Sequence, residues 1–138
     1  INNTNGSGII IGSGGAARAA CYAMLKANIK FDIICRNNIK GLELINEFNG
    51  NKCYSMDYDI SSLKPKIVII CIPSEINLNL NNLLSETIII DMGYKNKRGR
   101  TTINGYYVLA KQAELQYELW CDKKTDLYLE GIEKYIKG

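Results

Sequence analysis

The stretch Gly-Ile-Ile-Ile-Gly-Ser-Gly-Gly-Ala-Ala-Arg at positions 8–18 has the residue types that hold a phosphate without a basic side chain. Gly12, Gly14 and Ala17 stand at the spacing G-x-G-x-x-G/A. Gly12 permits a tight turn, Gly14 lets the main chain approach a pyrophosphate closely, and Ala17 lets a following helix lie near the strand before it. The expected cradle is therefore Gly12, Ser13, Gly14, Gly15 and Ala16. The unpaired amides and the dipole of the helix behind it bind an anion, the dipole alone contributing about 0.3–2 kcal/mol. Such a turn between strand and helix also occurs simply as a turn.

The residues about 20 positions further on bear on which dinucleotide would fit. An NAD site usually carries Asp or Glu at the end of the second strand, to hold the ribose 2′-hydroxyl. Here that end reads Cys35-Arg36-Asn37, and Asp32 stands too early in the strand. Arg36 is placed to meet a 2′-phosphate and to stack on an adenine face. One charge-assisted hydrogen bond is worth about 1.5–3 kcal/mol, roughly tenfold to a hundredfold in affinity, which is enough to set cofactor preference. Lys40, one helical turn beyond, adds a second positive charge. The cofactor these residues imply is NADP, the alternative being that Arg36 and Lys40 are solvated surface cations.

Several elements must position these groups. The β-branched runs predict strands at 8–12, 31–35, 66–72 and 87–91, with a short edge strand within 53–58. Helices are expected at 15–28, with Ala19, Ala20, Ala23, Leu25 and Ala27 close to the sheet, and at 38–48, where Ile39, Leu42, Ile45 and Phe48 recur at helical spacing. Residues 77–84 read as a short helix or turn, with the asparagines at 77–82 as loop; 105–120 reads as an amphipathic helix and 127–137 as a final one. Strands alternating with helices give an α/β fold, a doubly wound, Rossmann-like parallel sheet in three αβα layers, with strand order 3-2-1-4-5. The residues just after Ile11, Cys35, Ile72 and Ile90 then face one crevice, at the switch between strands 1 and 4. Residues 1–7 are expected to be a polar linker and 8–138 a single domain.

Composition narrows the function classes. At 138 residues the chain can bury one core of its own. Seventeen basic against 14 acidic residues give a net charge of +3, which suits a small anionic ligand and not nucleic acid or a membrane surface. Apolar runs fall far short of the roughly 20 residues that span a bilayer, and the N-terminus has no secretory pattern. The five cysteines are odd in number and widely spaced, as expected of buried free thiols in a reducing, cytoplasmic compartment. With no histidine in the chain, no metal site is expected.

Taken together, the motifs resemble the C-terminal NADP-binding domain of shikimate dehydrogenase. Residues 12–18 look like that family's G-A-G-G-A-S/A-R turn, and Arg36, Asn37 and Lys40 fall where the family has an N-R-T box and a later basic residue. Asp91-Met92-Gly93-Tyr94 is similar to its D-M-x-Y segment, and residues 104–113 to its D-G-x-x-M-L-x-x-Q-A helix, in which Gly105 and Gln112 share one face. The resemblance implies that Cys71, Ile72, Pro73, Met92 and Gly105 border the nicotinamide, and that Tyr94 and Gln112 touch the substrate, shikimate or dehydroshikimate. It also implies that the catalytic Lys and Asp belong to a separate N-terminal domain that no part of this sequence matches, so no catalytic residue is assigned here and the chain alone should turn over poorly or not at all.

There are departures from the family's pattern. Cys35 and Asn37 replace the Asn and Thr flanking the arginine, and Cys71-Ile72-Pro73-Ser74 resembles the version found in the pentafunctional arom polypeptide. Only nine residues separate Tyr94 from Asn104, where the family fits a helix and another strand. The basic cluster Lys95, Lys97, Arg98 and Arg100 lies there and reads as a solvated loop. Two other readings remain open: a non-catalytic NADP-sensing module, and the cofactor domain of a quinate/shikimate-type dehydrogenase.

Overall fold

A computed structural model of the chain describes residues 7–93 and 102–104, together with Lys111 and Leu115. Strand β1, Ser7–Ile11, is followed by helix α1, Gly15–Lys26; strand β2, Lys30–Ile34, by helix α2, Asn38–Phe48. The strands β3 (Cys53–Tyr54), β4 (Ile67–Ile70), β5 (Ile88–Asp91) and β6 (Ile103–Asn104) complete one sheet. Its order is β3-β2-β1-β4-β5-β6, and every neighbouring pair is parallel. The expected order is therefore present, extended by β6 at one edge. That strand begins at Ile103, the last residue of the short interval before Asn104.

Ile9, Ile10 and Ile11 are fully buried because the central strand of a parallel sheet is covered on both faces. Alternation along the strands divides the core. Ile10, Ile33 and Ile69 meet α1 and α2, whereas Ile9, Ile11, Ile34, Val68 and Ile70 face the other side. Among the described residues that second side is covered by a 3₁₀ turn, Ile60–Leu63, and by Leu80 and Leu83 of an irregular segment. Residues 77–84 form no helix, in agreement with the loop reading of the asparagine cluster.

Both helices turn a different face to the sheet than their obvious apolar residues imply. In α1 the buried set is Ala17, Ala20, Cys21 and Met24, and in α2 it is Gly41, Leu44, Ile45 and Phe48. Each follows the i, i+3, i+4, i+7 pattern of a core-facing stripe. Ala19, Ala23, Leu25 and Ala27 point outward, and Ile39 is 72% exposed. Gly41 belongs to the buried stripe because a Cβ there would meet Cys53 Sγ at 2.5 Å and Cys35 Sγ at 2.6 Å. Helix α1 stops where Asn28 turns left-handed, at φ 59°, and α2 stops at Asn49, at φ 58°.

The final helix at 127–137, most of the helix at 105–120 and the basic cluster at 95–100 lie outside the described residues. Lys111 and Leu115 are helical and exposed.

Candidate functional site

Register aligns the strand ends into one row. Tyr54 pairs with Ile34, Ile34 with Ile11, Ile11 with Ile70, Ile70 with Asp91, and Asp91 with Asn104. The next residue of each inner strand extends the row and donates its amide to the neighbour. Cys35 N donates to Tyr54 O at 3.1 Å, Gly12 N to Ile34 O at 2.8 Å, Cys71 N to Ile11 O at 2.8 Å and Met92 N to Ile70 O at 2.9 Å. Cys35, Gly12, Cys71 and Met92 thus share one edge of the sheet, and strand order reverses between β1 and β4, where Gly12 faces Cys71. Ligands of doubly wound sheets lie outside the carboxyl ends of the strands at such a reversal.

The turn at 12–16 is built for two purposes. Gly12 has φ 124°, and a Cβ on it would lie 2.8 Å from Cys71 O, so this position needs glycine for the fold itself. Gly14 and Gly15 are exposed, and a Cβ on either would meet nothing within 4 Å. Their bareness keeps space open in front of α1. Gly14 is the N-cap of α1; no side chain caps that end and its first turn carries no acidic residue. The first amides therefore point outward into a cradle that fits a pyrophosphate. Ala17 is fully buried under the turn, as the fingerprint requires.

Past the end of β2, Arg36, Asn37 and Lys40 are all exposed. Asn37 is the N-cap of α2, and its Oδ1 accepts from Lys40 N at 3.2 Å, which fixes the turn carrying Arg36. Arg36 forms no ion pair among the described residues. Arg18, the last residue of the glycine motif, is used differently: it pairs with Glu47 and lies over the Phe48 ring at 5.4 Å, tying α1 to α2. Asp32 is buried and accepts from Asn51 Nδ2 at 3.1 Å and Lys52 N at 3.0 Å, so its carboxylate anchors the approach to β3 and takes no part in the crevice.

On the other side of Gly12, Cys71, Ile72 and Ser74 are half-buried and Pro73 is exposed. Asp91 is 2% exposed, and it accepts from Gly93 N at 2.9 Å, which folds the chain back just after Met92. A Cβ on Gly93 would collide with Ser74 Oγ, so the segments after β4 and β5 close on each other. Burial pushes the Cys71 thiol up to about 12, with Cys21 and Asp91 adding in the same direction. A thiol so shifted is a neutral packing group and not a nucleophile. Tyr94, Gly105 and Gln112 lie outside the described residues.

The thiols also hold a feature not legible in the sequence: Cys35 and Cys53, widely separated along the chain, lie with their sulfurs 3.6 Å apart. The four described cysteines are free. Among the described residues no group of His, Cys, Asp and Glu is arranged to hold a metal ion, and no helix is long and apolar enough to cross a membrane.

No protein-family profile matches the chain. Its sequence is 30% identical over 146 aligned positions to the shikimate dehydrogenase (NADP(+)) of Methanococcus maripaludis strain C7, covering 88% of this chain and 51% of that protein. The chain is thus similar in sequence to the shikimate dehydrogenases. It also aligns at 30% identity with the pentafunctional AROM polypeptide of Pneumocystis carinii, over 86% of this chain and 9% of that one. The fold is that of the shikimate 5-dehydrogenase from Thermus thermophilus solved with NADP(H) and shikimate, with a TM-score of 0.73 at 19% identity over 93% of this chain and 54% of the other. The chain spans about half the length of the shikimate dehydrogenases it matches.

Proposed function

We propose that this chain is the NADP-binding domain of a shikimate dehydrogenase, serving the reversible, NADPH-dependent reduction of 3-dehydroshikimate to shikimate in aromatic amino-acid biosynthesis. The observation that carries this is the crevice itself: one row of strand ends brings the open cradle at 12–16, the cation at Arg36 and the closed turn at 91–93 to a single edge, in a chain 30% identical to such enzymes. Bound NADPH would supply the hydride; the protein's part is to hold and orient it.

In this reading Gly12, Ser13, Gly14, Gly15 and Ala16 take the pyrophosphate through backbone amides, and Arg36, supported by Asn37 and Lys40, takes the 2′-phosphate. Cys71, Ile72, Pro73, Met92 and Gly105 border the nicotinamide, while Tyr94 and Gln112 reach the substrate. The proton-transferring Lys and Asp come from a second domain, and the free thiols fit a reducing cytoplasm.

Two measurements test this together. The chain should bind NADP alone without turnover, and NADP reduction by shikimate should appear once the N-terminal half of a shikimate dehydrogenase is supplied in trans. Absence of NADP binding contradicts the proposal.

A further inference from the structure

The thiols of Cys35 and Cys53, 18 positions apart in the chain, meet with their sulfurs 3.6 Å apart. Cys35 is buried and Cys53 half-buried. Cys53 pairs with Ile33 in the register of β2 and β3, so the two cysteines sit on neighbouring strands and join the core on the α2 side of the sheet. Together they form the floor of the turn that carries Arg36 and Lys40. Cys35 directly precedes Arg36, and its thiol donates to Asn37 O at 3.2 Å. Gly41 N donates to that same carbonyl at 3.0 Å. Gly41 also rests so closely on the pair that a Cβ there would lie 2.5 Å from Cys53 Sγ and 2.6 Å from Cys35 Sγ. A displacement of either sulfur is therefore passed to the start of α2 and to the two cations beside it.

We propose that Cys35 and Cys53 close into a disulfide when the protein meets a hydroperoxide, and that the bridge weakens the hold of Arg36 and Lys40 on a 2′-phosphate, a regulation that rests on the NADP reading above. Cys53 is the more accessible thiol. Its thiolate attacks hydrogen peroxide, the O–O bond breaks, and Cys53 becomes a sulfenic acid while the departing hydroxide takes up the thiol's proton as water. The Cys35 sulfur then displaces the remaining hydroxide from Cys53 Sγ, the S–S bond forms, and the Cys35 proton leaves with it as a second water. The two sulfurs lose the two electrons that the peroxide gains. Bridging brings the sulfurs from 3.6 Å to about 2.05 Å and removes the proton that Cys35 gives to Asn37 O. The floor under Gly41 changes shape, the turn at 36–37 loses a tie, and the cations lose their fixed place. Burial and the hydrogen bond to Cys35 push Cys53 up to about 12, so at neutral pH the pair rests as thiols and bridges slowly, faster as pH rises.

The test exposes the full chain to hydrogen peroxide at about pH 9, where bridging is faster, and maps the linked cysteines by peptide mass. NADP and NAD are then titrated calorimetrically into reduced, oxidised and re-reduced protein. A peptide pair joined through Cys35 and Cys53 should appear. In the bridged protein NADP affinity should fall by about tenfold or more and NAD affinity by less than about threefold, and a thiol reductant should restore both. Cys53→Ser, which cannot form the bridge, should bind NADP as the reduced wild type does and keep that affinity through the peroxide treatment. The proposal is overturned if the wild type shows no Cys35–Cys53 linkage, if the linked protein binds NADP as before or loses NADP and NAD alike, or if the peroxide effect persists in Cys53→Ser. In each of these cases NADP binding by the reduced protein still upholds the proposed function. Reduced protein that binds no NADP overturns both.

Discussion

The two ends of the crevice are built on opposite plans. At the end proposed for the adenosine phosphates the described residues present open backbone and exposed charge: Gly14 and Gly15 border empty space, and Arg36 and Lys40 stand in solvent. On the side of β4 and β5, which the proposal gives to the nicotinamide, the chain is closed on itself: Gly93 abuts Ser74, and the Asp91 carboxylate is buried against Gly93 N. The first end is shaped to be completed by a ligand, and the second is held rigid by its own packing. On the proposed reading a nicotinamide must be positioned within a fraction of an ångström, whereas phosphates are bound by field and amide geometry, which puts the rigidity at the end that would react.

Paired substitutions in the glycine turn separate the two plans. Gly12→Ala places a Cβ against Cys71 O at a positive φ, and it should lower stability by about 2–4 kcal/mol in denaturant unfolding. Gly14→Val meets no neighbour, so its unfolding free energy should change by less than about 1 kcal/mol. Its NADP affinity should nevertheless fall by about tenfold or more, since the new side chain fills the cradle. If Gly14→Val unfolds the chain, or Gly12→Ala does not destabilise it, the division between folding glycine and binding glycine is wrong.

A smaller effect follows from the buried thiols. Burial raises Cys21 from 9.0 to about 11 and both Cys53 and Cys71 to about 12. Between pH 9 and 12 the unfolded chain loses these protons while the folded chain keeps them, so stability present below pH 9 is lost as pH rises. The Tm should fall progressively above pH 9, and Cys71→Ala should flatten part of that slope. An unchanged slope would mean that Cys71 is not buried as a neutral thiol.

Legibility in the sequence follows the same contrast. The strands are readable because Ile9, Ile10, Ile11 and the run at 66–72 are β-branched and continuous, and the cradle because its glycines sit at a fixed local spacing. The helix faces mislead where size matters more than hydrophobicity: Gly41 is buried because two sulfurs need its space, and Ile39 is exposed despite its apolar chain. The anchoring role of Asp32, the Arg18–Glu47 tie and the Cys35–Cys53 contact join positions 18–29 residues apart, a distance over which periodicity carries no information. A cavity rimmed by Asp57, Asn77 and Asn79 is hidden for the same reason, since two irregular segments meet only in the fold.

The central claim is that Arg36 selects NADP for the open end of the crevice, and calorimetric titration of NADP and NAD into wild type and Arg36→Leu tests it most directly. Wild type should bind NADP about tenfold to a hundredfold more tightly than NAD, and the variant should lose that preference while keeping its NAD affinity. Equal affinities for the two dinucleotides, unaltered by the substitution, would contradict the account.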